Sequence, residues 1–586
     1  MGGDAPRWIE APVPGAAAEL AGCGLPPWMP ALLARRGVAD RQAAESFLAP
    51  SLHQLHDPFL LAGMEAAVTR LLAARERGEP VAIVGDYDVD GVTATALLVA
   101  VLGACGITAR PILPHRLREG YGFQAVHAER ARELGCRLIV TADCGSSAGE
   151  AVSAALAAGL DVVITDHHLP RGDLPSGATQ VNPRQVSCSY PFPDLAAAGL
   201  AFKLAMALAA RCGRALDPVP LLRVACLGTI ADLVPLRGEN RVIAALGLRA
   251  LADSRSHGLR ALIRQAGLRP PFTAADVGFR LGPRLNAAGR LHDASQALEL
   301  LLSRDPRRAS ELAAELDGWN RDRQTEEMQV VEQARLRLIE RQPLPPILVA
   351  WSPDWHKGVI GVAAGRIAKE MHRPTVLLSV EGTLATGSGR SVPDIALHTF
   401  LARWQPRLRR FGGHAQAIGL TVDLDRLEEL RGEWEDSAAA AWDPGWLEQR
   451  HVYDFAVPPR AVSGELVREL RRMEPFGQGN PQPLLRVGPL RLRRAPRPFG
   501  KGHLSAECEG EDGARVELVG WSWATRAGRL AGSFEVLAHA ELDGWHGGPV
   551  LRLVDSRPAS ALRSGTDSGM SSADGARLPA GEPPSP

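Results

Sequence analysis

The sequence predicts an α/β protein built in several units: a parallel-sheet domain, a long connecting helix, a second and smaller α/β domain, and a C-terminal β-barrel. Three observations predict it. Short apolar runs, several followed by helical stretches, recur between residues 81 and 165. From Pro306 to about Gln342 apolar residues fall at helical spacings, and from about Val452 to Val554 the pattern turns to short β-type runs punctuated by Gly and Pro. A length of 586 residues, at roughly 150 per domain, is consistent with three or four such units.

Val81–Gly85 reads as a strand and Val92–Leu102 as the helix that follows it. The pattern returns with Ala109–Leu113, with Arg137–Thr141 followed by Ala148–Ala158, and with Asp161–Thr165. Strands alternating with helices imply a parallel sheet covered on both faces. In the connector, Leu312, Leu316, Trp319, Met328, Val331 and Leu338 give a helical stripe. The plainer alternative is two helices broken near Gly318. Beyond Pro343-Leu-Pro-Pro346, the runs Ile347–Ala350, Thr375–Leu378 and Ile418–Val422 begin a second α/β unit. Leu490–Leu492 and Arg515–Val519 belong to a small β-barrel or sandwich. Ser556–Pro586, rich in Ser, Gly, Ala and Pro, cannot offset its ordering entropy and is expected to be disordered and dispensable. The expected division is an N-terminal extension (1–60), a catalytic domain (61–305), a connector (306–342), a substrate-binding domain (343–445), a single-strand-binding domain (446–555) and a tail (556–586).

Composition excludes several classes. A hydrophobic fraction of 45% with 23% charged residues rules out wholesale disorder. Lys+Arg and Asp+Glu balance at 66 each, so any nucleic-acid site must be a local patch. Only four of those cations are lysines (Lys203, Lys357, Lys369, Lys501); arginine suits bidentate phosphate contacts, although a GC-rich coding genome produces the same bias. The eight cysteines contain no C-x-x-C pair, against a zinc ribbon or a disulfide framework, and Cys144, beside Asp143, reads as packing rather than as a nucleophile. No run of 18 apolar residues occurs, and Met1 is followed by Gly-Gly-Asp-Ala-Pro-Arg rather than by a basic and then apolar leader. A cytoplasmic protein with no membrane partner is expected.

Acidic and histidine residues stand directly after the predicted strands: Asp86, Asp88 and Asp90 after the first, Asp143 after another, Asp166, His167 and His168 after a third. Ligands of open parallel sheets bind at the carboxyl ends of the strands, so these residues converge. Three carboxylates in Gly85-Asp-Tyr-Asp-Val-Asp-Gly91 are costly to bury without cations. Taken alone, that motif could be a solvated acidic turn. A calcium loop of the EF-hand type would need Glu at its twelfth position, where Ala96-Leu97 stand, and imidazole shifts the preference toward manganese or another transition metal. Two divalent ions, Mn2+ or Mg2+, held in such a cluster would activate water and stabilise both oxygens of a phosphoester displacement, which makes phosphoesterase the leading chemistry.

Gly85–Gly91, Thr141-Ala-Asp-Cys-Gly145, Asp166-His-His168 and Gly228-Thr-Ile-Ala-Asp-Leu-Val-Pro235 resemble the four motifs of the DHH phosphoesterase superfamily. Pro114–Gly122, Gly282–Arg290, Trp355–Gly361 and Phe411-Gly-Gly-His414 are similar to segments of its RecJ family of single-strand-specific DNA exonucleases. The resemblance covers about residues 25 to 555 and implies a DHH domain, a DHHA1 domain and an OB-fold barrel. It implies metal ligation by Asp88, Asp90, Asp143, His167 and Asp232, with Asp86 a ligand or a group just behind the ligands. Asp166 would orient its histidine neighbours, and His168 would contact the scissile phosphate. The implied substrate is single-stranded DNA with a free 5′ end, degraded to 5′-mononucleotides in recombination and repair. A helicase and a single-stranded-DNA-binding protein are the expected partners, and the chain is expected to be a monomer. Two other readings are a phosphodiesterase of the same superfamily acting on short oligonucleotides or cyclic dinucleotides, and an inactive single-strand-binding scaffold. The extra C-terminal barrel weighs against the first, and the intact acidic set against the second.

For the nucleic acid, Arg116 and Arg118 follow a predicted strand, while Arg284, Asn286 and Arg290 lie in a Gly/Ala-dense segment where a backbone can approach a ligand closely. The resemblance points to Ser388 and Arg390 as anchors of the 5′ end and to His414 as a strand contact. Pro393 departs from the family pattern, which leaves the geometry after Ser391 open. In the C-terminal unit Arg486, Arg491, Arg493, Arg494, Arg497 and Lys501, with Phe499, Trp521 and Trp523, fit an OB-type barrel that tracks a single strand. The alternative is that the tryptophans are core and the arginines a solvated face.

Overall fold

The five residues of Val81–Gly85 (β1) are all buried, and a strand with no solvent face must be covered on both sides. A computed structural model, which describes residues 6–116, 118–170, 172–544 and 546–559, supplies that covering. Strand β1 lies between Ala109–Ile112 (β2) and Leu138–Ala142 (β3), with Asp161–Thr165 (β4) and Thr179–Val181 (β5) outside β3. All pairings are parallel, in the order β2-β1-β3-β4-β5. The chain leaves β1 to one side and returns on the other, so the crevice between β1 and β3 is the topological switch point of the sheet. Alternation along β1 sends Val81 and Ile83 into one core and Ala82 and Val84 into another. Val89–Ala104 (α1) is apolar on all sides and therefore buried; it packs against Ala197–Arg211 (α2) and Pro218–Ala231 (α3).

After Gly282–Leu291 (α4), Pro306–Ile339 (α5) runs unbroken for 34 residues, about 50 Å. It passes Gly318 without interruption, so the connector is one helix rather than two. Leu312, Ala313 and Leu316 belong to the core of the first sheet, and Val330, Val331, Ala334 and Leu338 to that of the second. That second sheet comprises Leu348–Ser352 (β6), Thr375–Glu381 (β7), Leu384–Arg390 (β8), Arg410–His414 (β9) and Ala417–Asp423 (β10), in the order β9-β10-β8-β7-β6. Only β6 and β7 are parallel. Helix Ile360–Met371 (α6) covers β7 and β8. The glycine-rich segments around Ser388 and before His414 are thus strands. The turn beyond β8 that holds Pro393 is closed by the Ser391 N–H to Gln416 O (3.0 Å) and the Ser391 hydroxyl to Ile395 O (2.6 Å).

The chain divides into two compact units, 1–455 with 468–483, and 456–467 with 484 onward. The second unit is a barrel of Leu485–Leu492 (β11), His503–Gly510 (β12), Arg515–Gly520 (β13), Ser533–Leu542 (β14) and Pro549–Pro558 (β15). Its ring closes as β11-β14-β15-β13-β12-β11, leaving no open edge among these strands. The expected boundaries need adjustment here. Arg450–Tyr453 pairs in parallel with Arg7–Glu10 of the first unit, so it is no part of the barrel. Strand β15 runs past Asp555 to Pro558, with Ser556 buried opposite Val536. The remainder of the expected tail, residues 560–586, lies outside the described residues. No helix among the described residues is long and apolar enough to cross a membrane.

Within the first unit, the N-terminal segment is fastened to the parallel-sheet domain through buried charge. Glu239 accepts hydrogen bonds from the Tyr190 hydroxyl (2.5 Å), the Lys203 ammonium (2.6 Å) and the His56 N–H (2.9 Å). Arg241 donates to Phe47 O (2.7 Å), and its guanidinium lies 3.7 Å from the centre of the Phe47 ring. Removing one member of such a buried pair leaves the other charge uncompensated. Lys203→Met is expected to destabilise the first unit by about 3–5 kcal/mol, and a Lys203→Met, Glu239→Leu double variant to recover most of that loss. The two urea unfolding midpoints check this; equal midpoints would show that the pair is not the fastening.

Candidate metal centre

Strand β1 ends at Gly85 and delivers Asp86, and the chain then turns so tightly that a Cβ on Gly91 would lie 2.6 Å from Asp86 O. Only glycine fits. Asp88 caps α1 by accepting from the N–H groups of Asp90 and Gly91 (3.0 Å each). Asp90, in the first turn, is buried, and its two oxygens accept from the first amides of α2, Ala197 N–H (2.7 Å) and Ala198 N–H (2.8 Å). The free amides of a helix N-terminus are natural partners for a carboxylate. Gly228 of α3 faces the same carboxylate, where a Cβ would stand 2.5 Å from Asp90 Oδ1.

Asp143 follows β3 with φ +70°, a left-handed conformation that costs a non-glycine residue about 1–3 kcal/mol. It is held by its N–H to Thr165 O (3.1 Å) and by the Tyr121 hydroxyl on its own carbonyl (3.4 Å). After β4, Asp166 Oδ1 accepts from the N–H groups of His167 (2.8 Å) and His168 (3.1 Å) and lies 2.8 Å from His168 Nδ1; Oδ2 accepts from Ser146 N–H (2.9 Å). Asn182 braces this loop from behind, donating to Ser146 Oγ (2.8 Å) and His168 O (2.9 Å). Asp232 caps the C-terminus of α3, and Leu233 beyond it is again left-handed, φ +59°.

His167 Nε2 lies 3.2 Å from Asp143 Oδ1, 3.7 Å from Asp232 Oδ2 and 3.8 Å from Asp90 Oδ2. Three overlapping groups could each hold an ion: Asp143, His167 and His168; Asp90, His167 and Asp232; Asp86, Asp88 and Asp143. The first strand-end turn, the two later ones and the end of α3 therefore meet in one place, as the strand-end argument anticipates. Divalent cations fit this donor set. Asp143 Oδ1 and His167 Nε2 are buried without a hydrogen-bond partner, and buried polar atoms are rarely left so. Burial, then the neighbouring Asp88, pushes Asp90 up to about 7. Burial, then Asp90 and Asp88, pushes Asp232 up to about 8, and Asp86 and Asp143 stand well above the usual carboxylate range for the same two reasons. The site thus calls for positive charge that the protein does not supply. Burial, with His168 beside it, drops His167 to about 3, leaving a neutral imidazole as metal ligation requires. For His168 burial pulls the other way, but the bond to Asp166 prevails and raises it to about 9. Cys144 is buried, and burial followed by Asp166 and Asp86 pushes its thiol well up, which suits packing rather than nucleophilic attack.

Four guanidinium groups gather near this cluster. Burial, then repulsion from Arg116, Arg323 and Arg390, lowers Arg290 to about 10, while Asp88 opposes the shift. Arg390 is lowered by burial and by Arg116, and it donates to Ser388 Oγ (2.9 Å). Helix α6 lies directly on this pair: a Cβ on Gly361 would stand 2.9 Å from Ser388 Oγ. Arg116 stacks over Tyr87, 5.0 Å from the ring centre, while Arg118 is exposed. Asn286 accepts from Val89 N–H (3.1 Å) and so supports the acidic turn. Arg284 departs from expectation, since it is turned to the buried Asp317 of α5 (2.8 Å) and away from the cluster. Register places His414 opposite Ala417 and Ala417 opposite Arg390, so His414 shares a face with Arg390 two strands away, about 10 Å. Tyr121 and Arg323 were not anticipated as site residues. Tyr121 lies inside the quoted Pro114–Gly122 segment; Arg323 sits in a helix whose spacing signals only packing.

In the barrel unit, Phe499 and Trp521 are exposed and meet His503, with ring centres 5.8 Å apart for Phe499 and Trp521 and 4.7 Å for His503 and Trp521. Trp523 is buried, which corrects its expected place among the exposed aromatics: it packs under Gly520 as core. Arg486 pairs with Glu535 (2.5 Å), and Arg493 lies near Glu507 and Glu509 (3.9 and 3.5 Å). Arg491, Arg494, Arg497 and Lys501 are exposed.

Family models match three stretches of the chain: the DHH family N-terminal domain over residues 80–229, the DHHA1 domain over 344–439 and the RecJ OB domain over 453–554. The single-stranded-DNA-specific exonuclease RecJ of Dickeya dadantii is 38% identical over 83% of this chain and 88% of its own length. That of Bacillus subtilis is 36% identical over 78% of this chain, and the match spans 58% of that longer protein. The crystal structure of RecJ from Thermus thermophilus in complex with Mn2+ superposes with a TM-score of 0.80 at 30% identity, covering 96% of this chain and 81% of that one. The Mg2+ complex of the same protein gives 0.74 at 29%, covering 95% and 79%. With the three domain models in order and this identity over most of its length, the chain belongs to the RecJ family of DHH enzymes.

Proposed function

We propose that the chain is a metal-dependent exonuclease that hydrolyses single-stranded DNA from the 5′ end and releases 5′-mononucleotides. One observation carries the reading: a largely buried acidic cluster that calls for cations adjoins a group of converging arginines, within one compact unit. Asp86, Asp88, Asp90, Asp143, His167 and Asp232 would hold two divalent ions, Mn2+ or Mg2+; Asp143 and His167 each belong to two of the three ligand groups. When bound, such ions supply an activated water and stabilise charge on the attacking and leaving oxygens.

The chain's own residues do the rest. Arg116, Arg290 and Arg390, with Ser388, receive the terminal 5′ phosphate through charge-assisted hydrogen bonds, with Arg323, itself paired with Glu327 (2.6 Å), adding positive charge behind them; this supports a polarity set by end capture. His414 extends the contact along the same sheet face. Asp166 occupies His168 Nδ1 and leaves Nε2 to donate to the scissile phosphate. Asn286 keeps the acidic turn in register with α4. In the barrel, Phe499, His503 and Trp521 give stacking faces and Arg491, Arg494, Arg497 and Lys501 give cations suited to a single strand. Action as a monomer in the cytoplasm, in recombination and repair with a helicase and a single-stranded-DNA-binding protein, completes the proposal.

Titrating Mn2+ against a 5′-phosphorylated single strand labelled separately at each end is expected to release mononucleotide from the 5′ label first with the wild type, and none with Asp143→Ala. Binding without cleavage by the wild type would indicate a scaffold, and release confined to dinucleotides the small-substrate phosphodiesterase. In the same assay His168→Ala is expected to abolish hydrolysis while a gel-shift measurement shows unchanged strand binding; an active variant would remove His168 from its role. Arg390→Ala is expected to weaken binding of a 5′-phosphorylated strand about tenfold to a hundredfold while leaving a 5′-hydroxyl strand near the wild-type value. Equal losses on the two strands, read by fluorescence anisotropy, would place the terminal phosphate elsewhere.

A further inference from the structure

Tyr121 is held in an unusual way for a half-exposed residue. It is flanked by Gly120 and Gly122, both left-handed (φ +85° and +74°), and is half exposed, whereas Tyr190 is buried against Glu239. Its hydroxyl donates to Asp143 O (3.4 Å) and lies 3.3 Å from both Nδ1 and Nε2 of His168. Equal distances place the oxygen over the face of the imidazole, because Cε1 occupies the in-plane position between the two nitrogens. The rings stand at 82°. Asp166 meets His168 in the other direction, at the Nδ1 edge (2.8 Å). A contact at one edge leaves a ring free to tilt about that bond. A second contact on its face removes the tilt. Behind Tyr121 stands Tyr87, edge-on with centres 6.4 Å apart, and Arg116 covers Tyr87. The phenol is therefore buttressed toward the histidine.

We propose that Tyr121 is a positioning residue whose hydroxyl, acting with Asp166, holds the His168 ring so that Nε2 faces the scissile phosphate. The proposal rests on the reading of His168 given above. Phenylalanine would keep the ring contacts with Tyr87 and lose only the hydroxyl, so the hold on His168 can be removed without emptying the space. A histidine that wanders from its productive angle costs turnover rather than substrate affinity, since the arginine pocket is untouched.

The test is steady-state kinetics on a 5′-phosphorylated single strand with Mn2+ for the wild type, Tyr121→Phe and a variant with 4-aminophenylalanine at position 121, which restores a donor at the para position. Mn2+ binding is measured by calorimetry for all three. For Tyr121→Phe the expected result is a kcat at least about tenfold lower, a KM within about twofold of wild type and unchanged Mn2+ affinity. The 4-aminophenylalanine variant is expected to recover most of the rate. An unchanged kcat, a loss confined to KM, or a failure of the amino group to restore the rate would overturn the proposal. A loss that tracks Mn2+ affinity would overturn it too, assigning the hydroxyl to the Asp143 carbonyl instead. Absence of mononucleotide release by the wild type would be a different failure, that of the exonuclease reading itself.

Discussion

Carboxylates gathered in a largely buried space impose the governing constraint on the first unit. Their mutual repulsion is costly in such surroundings, and the fold accepts it by fixing several of these residues from outside the cluster. Asp90 is clamped between α1 and the amides of α2, Asp88 is engaged as a helix cap, and Asp143 is held in a strained backbone conformation by a neighbouring strand and a phenol. The glycines at 91 and 228 follow from the same constraint, for the chain must close over the carboxylates with no room for a methyl group. Rigid placement of this kind means that cations find their ligands already arranged, so little of the binding free energy is spent on ordering them.

The arginine pocket is the counterpart of opposite sign. Overall the chain is neutral, and the electrostatics that matter are local: a cluster that repels anions until cations enter it, and next to it a set of guanidinium groups of which, among the described residues, Arg323 alone is paired with a carboxylate, Glu327. Each half is incomplete alone. Helix α5 serves both, since its first half belongs to the core of the parallel sheet and its second half to the core of the sheet that carries Ser388 and Arg390. Arg323, between those halves, adds its charge from the connector itself, where it is paired with Glu327 (2.6 Å).

The strands of the parallel sheet and the acidic residues at their ends were legible because burial on both faces writes continuous apolar runs and because strand ends are where such sheets bind ligands. Other features were not. Asn286 and Arg290 are four apart on α4 and share a face, whereas Arg284 is two residues from Asn286 and so points elsewhere, to Asp317; a Gly/Ala-dense motif marks all three alike until the helix phase is known. Trp521 and Trp523 differ in burial although both read as aromatic residues among cations, because Trp523 lies under Gly520. Barrel and sandwich could not be told apart, since the deciding contact is the pairing of β11 with β12, a long-range event with no local signature. Tyr121 carried no signal of its own beyond its place in a family segment.

The unbroken course of α5 has one more consequence. A helix of 34 residues whose two ends are rooted in different cores is a strut of about 50 Å. Under the function proposed above, the distance between the arginines that would grip a strand's end and the carboxylates that would cut it is therefore set by the scaffold. A turn inserted near Gly318 would carry Arg323, Ser388 and Arg390 away from Arg116 and Arg290, so the grip itself depends on the length of this strut.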